Sequence, residues 1–214
     1  MAHLLNGEAK QSKLFQEFLD KAIAEILSLA KEIQKCKDCE LHNFCNKPLP
    51  GAGYPLANIL LLKESPTALE DAENVAFFGK IGESLRSGFA KLNLDITDVY
   101  GTSAIKCSLP ESSSSPLKKI SEKNIPACKK HLEAEIEIIQ PKIILAMGEV
   151  SVKALNAIAS FKNFSLTPGK ITPWRQGITV IITHSPHEAF QNPSLKQEFR
   201  KALKVLKTIE KAKL

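Results

Sequence analysis

No run of about 18 or more apolar residues, the least a membrane-spanning helix needs, occurs in this 214-residue chain. The start, Met1-Ala2-His3-Leu4-Leu5, also lacks the basic region and long apolar core of a secretory signal. These absences predict a soluble, cytoplasmic protein with no membrane association. Cysteines are few, five in all, and in a reducing compartment they favour metal or redox chemistry over structural disulfides. The charge imbalance is modest too: 29 Lys and Arg against 23 Asp and Glu, a formal +6. That excess attracts a polyanion without specifying one. It is densest at the C-terminus, where Lys196, Arg200, Lys201, Lys204, Lys207, Lys211 and Lys213 crowd one expected helix. A solvated helix face and a nucleic-acid or partner contact are both open there. The length suits one domain with a sizeable core.

From Leu14 to Ile33, apolar residues recur at three- and four-residue steps (Leu14, Phe18, Ala22, Ile26, Ala30, Ile33), with Leu19, Ile23 and Leu27 widening the stripe. An amphipathic helix is expected, leading straight into Cys36-Lys37-Asp38-Cys39. Pro48 to Pro55, dense in Pro and Gly, reads as irregular. Ile59-Leu60-Leu61-Leu62 is short and continuously apolar, the mark of a buried parallel strand. A helix after Gly82 turns Leu85, Phe89 and Leu92 inward, and a strand runs from Val99 to Ile105, ending at Lys106-Cys107. Ser112 to Ser115 reads as a polar surface loop. Cys128, Leu132, Ile136 and Ile139 mark a helix ended by Pro141, after which Lys142 to Gly148 reads as strand and turn. Val152, Leu155 and Ile158 suggest a short helix, and the stretch around Pro168-Gly169 and Pro173 reads as irregular. Ile178 to Ile182 is the last strong strand, before a terminal helix from about Ser194 carrying Leu195, Phe199, Leu203 and Leu206 on one side. This alternation predicts an α/β fold: a single domain whose central, mostly parallel sheet is flanked by helices, with the loops after the strands left to form a site.

Several segments form a series: Cys36-Lys37-Asp38-Cys39, then Pro50-Gly51-Ala52-Gly53-Tyr54-Pro55, then Lys63-Glu64-Ser65-Pro66-Thr67 with Glu70-Asp71. Ala76-Phe77-Phe78-Gly79-Lys80-Ile81-Gly82, Tyr100-Gly101-Thr102-Ser103-Ala104-Ile105-Lys106-Cys107, Cys128, and Pro141-Lys142 to Met147-Gly148 continue it. From Cys36 to the terminal helix the series resembles the thermostable, iron–sulfur-containing uracil-DNA glycosylases of bacteria and archaea. The resemblance implies a glycosylase-like α/β domain over residues 36–214, with residues 1–35 as a helical extension packed on it. It also implies a 4Fe-4S cluster near that helix, held by Cys36, Cys39, Cys107 and Cys128, with Cys128 at the start of its helix and Cys45 left as a free small apolar residue. Chemically, four thiolates suit a soft iron–sulfur centre, and zinc is the alternative that spacing leaves open.

On the substrate side, the family stacks uracil on an aromatic residue, reads its edge with an Asn, and stabilises the leaving base with a His followed by Pro. Phe77 aligns with the stacking residue, although a core phenylalanine would look the same in sequence. Glu64 is placed to orient water or to organise the loop. Lys63 and Thr67 stand where the family has two glycines, and Asn74 replaces another. Ser103 occupies the position of the recognition Asn, whose paired donor and acceptor a hydroxyl does not reproduce. In Thr183-His184-Ser185-Pro186-His187 the catalytic position falls on Ser185. A displaced His184 or His187 could take the role if the loop were rearranged; either would otherwise serve loop polar groups. Losing one preorganised oxyanion donor costs about 2.7 to 4 kcal/mol. The resemblance therefore implies a DNA-binding protein, directed to single-stranded or distorted DNA, with weak or altered base removal. A noncatalytic iron–sulfur nucleic-acid-binding protein and a structural or protein-interaction module are the other readings, and no protein partner is named by the sequence.

Overall fold

The computed structural model describes the backbone of residues 2–110, 117–159 and 163–213, and side chains within 12–95, 97–110, 119–159 and 163–210. The expected loop at Ser112 to Ser115 lies outside these residues. Four strands, β2 (Ile59–Lys63), β3 (Val99–Ser103), β4 (Ile143–Met147) and β6 (Thr179–Thr183), are parallel to one another and buried at every position. With β1 (Ala52–Gly53) and β5 (Ile171–Pro173) they form one sheet ordered β1-β3-β2-β4-β6-β5, whose two edge strands are antiparallel. Burial on both faces is why these strands read as continuous apolar runs.

Side-chain alternation divides the core in two. Leu60, Leu62, Ile144, Ala146, Val180 and Ile182 face a layer that includes α4 (Leu117–Ile139) and α5 (Glu149–Ile158). Ile59, Leu61, Ile143, Leu145 and Ile181 face Leu85 and Phe89 of α3 (Lys80–Lys91) and Phe199, Leu203 and Leu206 of α7 (Pro193–Lys213). A three-layer α/β/α arrangement results.

Four expectations need correction. First, two short strands lie in segments read as irregular. Gly53, at φ +135, sits so close to β3 that a Cβ would fall 2.1 Å from the Val99 carbonyl oxygen, and this approach makes the β1 pairing. Pro173 is tolerated in β5 because that strand is an edge, where a missing donor is least costly. Second, β3 ends at Ser103, although the N–H groups of Ala104 and Ile105 still donate to the Lys63 and Glu64 carbonyls at 2.8 and 3.0 Å. Third, α4 begins at Leu117, so Cys128 lies within the helix and not at its start; Pro126, on an exposed position, is carried inside it. Fourth, the long apolar stripe of α1 (Ala2–Gln34) is covered only in part. Its 33 residues span about 50 Å against about 35 Å for the 23 residues of α4, on which it packs. Ala22, Leu29 and Ile33 are buried, whereas Leu14, Phe15, Phe18 and Leu27 are more than half exposed.

Candidate functional site at the sheet edge and the cysteine corner

Two neighbouring strands send the chain to opposite faces: after β2 it runs to α3, after β4 to α5. A crevice opens where such connections part, at the carboxyl ends of the strands. Glu64, the first residue past β2, lies in it. Its Oε1 accepts from the Val150 N–H in the first turn of α5 at 3.1 Å. Gly148 makes room, at φ +94, where a Cβ would stand 2.4 Å from the Glu64 carboxyl carbon. Burial raises the Glu64 pKa above the usual carboxylate value; the Val150 N–H draws it back, Glu188 and Glu149 push it up, and a hydrogen bond from Ser185 lowers it. Glu64 and Ser185 are thus neighbours.

On the α3 side of the sheet, Lys63 is only 3% exposed. Its ammonium donates to Glu70 at 2.8 Å and to the Ser65 carbonyl at 2.5 Å. Glu70, in the short helix α2 (Ala68–Glu73), has no exposed surface and also accepts from the Thr67 N–H at 2.7 Å and the Phe77 N–H at 2.5 Å. The Glu70 N–H donates in turn to the Thr67 hydroxyl at 3.2 Å, completing a capping box. Lys63 and Thr67, the two residues standing in for glycines, therefore tie the loop down. Burial pulls the Lys63 pKa below the usual lysine value, with Glu70 opposing it. Phe77 is held at φ +60, with its carbonyl so close to Gly82 that a Cβ there would fall at 1.7 Å. Its ring packs on Gly101 of β3, and the Lys63 ammonium stands 5.5 Å from the ring centre. A cavity of about 290 Å³ opens beside it, lined in part by Gly53, Phe77, Leu85 and Arg86. Ser103 pairs in register with Lys63 and is buried.

The imidazoles lie elsewhere. His184 Nε2 is 2.6 Å from Glu198 Oε2 on α7, and His187, exposed on α6 (Pro186–Gln191), has its Nε2 3.0 Å from the Gln191 amide nitrogen. Both are engaged by helix side chains, and the residue beside Glu64 is Ser185.

Between the segment after β3, the end of α1 and α4 the five cysteines converge. Cys36 follows α1, Cys107 follows β3 and Cys128 lies on α4. The Cys45 and Cys107 thiols are within hydrogen-bonding reach of each other, the leading reason the Cys107 pKa is driven up and that of Cys45 down. Cys39 and Cys128 also raise Cys107, and burial pushes Cys128 up to about 11, with Cys39 and Cys36 adding to it. Such mutual repulsion of thiolates is what a bound cation reverses. Cys45, read from sequence as a free apolar residue, is a polar partner of Cys107.

Sequence reasoning missed two features here. Lys106, 1% exposed, donates to Glu135 at 2.6 Å, to the Thr102 hydroxyl at 2.7 Å and to the Ser103 carbonyl at 2.9 Å. Glu135 also accepts from the Gly51 N–H at 2.9 Å and the Tyr100 hydroxyl at 3.3 Å, so a buried network locks Cys107's neighbour to α4. The signal was a charged residue among apolar positions of the same helix face, Glu135 beside Leu132 and Ile136. The second feature is His131, whose donor atom lies within 4.8 Å of those of Cys36 and Asp38. Among the described residues this trio is the group gathered closely enough to hold a single metal ion.

The family model of the uracil DNA glycosylase superfamily matches residues 50–207. This chain belongs to that superfamily. It is 31% identical to the type-4 uracil-DNA glycosylase of Sulfurisphaera tokodaii, over 85% of this chain and 83% of that protein. To the type-4 uracil-DNA glycosylase of Thermotoga maritima it is also 31% identical, over 88% and 94% respectively. A 28% identical match covers 81% of this chain but 18% of a DNA polymerase of Bacillus phage SP01. The sheet, the crevice and the cysteine corner are thus built on the uracil-DNA glycosylase-like α/β fold. Among the described residues, no helix is long and apolar enough to cross a membrane.

Proposed function

We propose that this superfamily member is an iron–sulfur protein that acts on or binds DNA, with base removal that is weak or altered relative to its type-4 relatives. The observation that carries this reading is the crevice itself: Glu64 is partnered by Ser185 and a backbone N–H, while His184 is turned to Glu198. A hydroxyl is a poorer stabiliser of a departing base anion than a preorganised imidazole, and the usual cost of losing such a donor is a factor of about 100 to 1,000 in rate. Glu64 supplies what acid–base or water-orienting capacity the crevice retains, Phe77 a stacking surface, and Ser103 a short polar contact.

The cluster is assigned to Cys36, Cys39, Cys107 and Cys128, in a domain over residues 36–214 with residues 1–35 as its helical extension. A single zinc with Zn–S bonds of about 2.3 Å would bring its sulfurs to roughly 4 Å of one another, yet among the described residues no three thiols meet even the 4.8 Å spacing of the His131 trio. That spread supports a larger group, the 4Fe-4S cluster. Four protein thiolates leave it no open position, so when bound it would supply a cross-link between the end of α1, the segment after β3, and α4. Cluster assembly is read directly: anaerobically purified protein should carry about four iron and about four sulfide per chain, and stoichiometric zinc without iron would overturn the assignment.

DNA is supported by the relatives' names and by Lys196, Arg200 and Lys204, which with Lys91 line a groove of about 630 Å³ between α3 and α7. Binding to single-stranded or distorted DNA should weaken with salt as phosphate contacts release counterions. Lys204→Gln should reduce the slope of log affinity against log salt by about 1 without changing the fold. No affinity at low salt, with the cluster intact, would move the assignment to a protein-interaction module. The noncatalytic nucleic-acid-binding reading is favoured by the Lys63–Glu70 pair, which fills with satisfied side chains a loop where the family pattern has glycine.

A further inference from the structure

His131 lies on α4, one turn beyond Cys128, and is 1% exposed. Neither of its ring nitrogens has a hydrogen-bond partner among the described residues. The nearest acid, Glu32, stands 3.9 Å from Nδ1, beyond hydrogen-bonding reach, and is itself exposed. Asp38, the other polar neighbour, is held by Lys130 at 2.5 Å. A neutral imidazole must carry one N–H donor and one acceptor, and leaving both buried and unmet is costly. Native proteins seldom retain that cost without a use. The group placed to meet the ring is Cys36, whose sulfur shares the same 4.8 Å neighbourhood.

We infer that His131 is a further residue of the metal centre, donating a ring N–H to the Cys36 thiolate when the cluster is bound. A thiol is a weak acceptor, whereas a metal-bound thiolate carries the negative charge that makes the hydrogen bond strong. The orphaned donor is thus explained by the charged sulfur it would face. Such a bond draws electron density off the ligand, which favours the reduced form of the cluster and shields one Fe–S bond from exchange. Cys36, just past the end of α1, is half-exposed, as is Cys39, in contrast to the buried Cys107 and Cys128, so its Fe–S bond gains from that protection. His131 in this role is a positioning and tuning residue.

This inference rests on the iron–sulfur reading above, and the experiment separates the two. Wild-type holoprotein, His131→Phe and His131→Asn are purified anaerobically and compared for iron and sulfide content, midpoint potential and the rate of iron release to a chelator. Phe keeps the ring volume without a donor; Asn keeps a donor. The Phe variant should release iron roughly tenfold faster, and its reduction equilibrium should shift about tenfold toward the oxidised form, 59 mV lower for a one-electron couple. Asn should recover most of both changes. A Phe variant with wild-type release rate and potential would overturn the role of His131 alone, as would an Asn variant that matches Phe. Wild-type protein without iron would remove the cluster and this inference together. A readout independent of any variant is the pulsed electron-spin spectrum of reduced wild-type protein labelled with nitrogen-15 histidine: a weak coupling to one ring nitrogen is expected, and its absence contradicts the hydrogen bond.

Discussion

The carboxyl ends of the strands and the cysteine corner treat their polar groups in opposite ways. At the sheet edge, Lys63, Glu70, Thr67 and Phe77 are joined by short hydrogen bonds, and His184 and His187 each have a helix partner. At the cysteine corner, thiols crowd one another and His131 is left without a partner. The first arrangement is complete as it stands; the second fits the bound cluster proposed above. On the function proposed above, this contrast is what a kept scaffold with a weakened reaction site predicts. The difference teaches that the two regions of one fold satisfy their polar groups by separate means, so that a change in one need not disturb the other.

The largest expected effects come from the two buried ion pairs. Removing one partner strands a buried charge at a cost of about 3–5 kcal/mol, out of a total stability of about 5–15 kcal/mol. Glu135→Ala and Glu70→Ala should both lower the denaturation midpoint strongly. They should part on metal content: Glu135→Ala frees Lys106 and with it Cys107, so iron is lost from whatever folds, whereas Glu70→Ala loosens only the loop before Phe77 and keeps it. Equal iron in the two variants would erase the distinction drawn between the regions.

Cysteine substitutions sharpen the corner itself. Cys107→Ser should abolish stable iron binding, while Cys45→Ser, which removes only the thiol hydrogen-bonded to Cys107, should retain iron at close to the wild-type level. The reverse pattern would reassign the ligand to Cys45.

Much of the fold was legible because strands buried on both faces leave an unmistakable apolar run, as at Ile59 to Leu62 and Lys142 to Met147. The edge strands β1 and β5 were not, since two or three residues become a strand only when a neighbour comes close, and nothing local announces that. Periodicity likewise reports that α1 has an apolar stripe without saying how much of it another helix covers. The ordered motifs are what placed Glu64, Phe77, Ser103 and Ser185 among the candidates. The Lys106–Glu135 pair, 29 positions apart, and the facing of His131 toward Cys36 depend on how α4 docks, which no short spacing encodes. The fate of His184 was hidden for the same reason: Glu198 reaches it from another helix.

The smallest predicted effect is on pH dependence at the crevice. Burial raises the folded pKa of Glu64 above its unfolded value near 4.5. The folded state then holds that proton more tightly, so ionising Glu64 costs stability as pH rises through the folded pKa, and costs nothing below the unfolded one. Glu64→Gln keeps an acceptor for the Val150 N–H and has no charge to desolvate. Its stability relative to wild type, from denaturant unfolding, should improve as pH rises above the unfolded value of about 4.5 and through the raised folded one. A constant or reversed difference would mean that Glu64 is not held in a desolvated crevice.

The central claim is that this member of the superfamily has kept the scaffold and weakened the chemistry. An anaerobic assay of uracil release from a single-stranded oligonucleotide, developed by alkaline cleavage at the abasic site and run beside the Thermotoga maritima relative, tests it most directly. With an intact cluster and measurable DNA binding, this protein should release uracil at least about 100-fold more slowly than that relative, down to no release at all; uracil release at the relative's own rate would contradict the account.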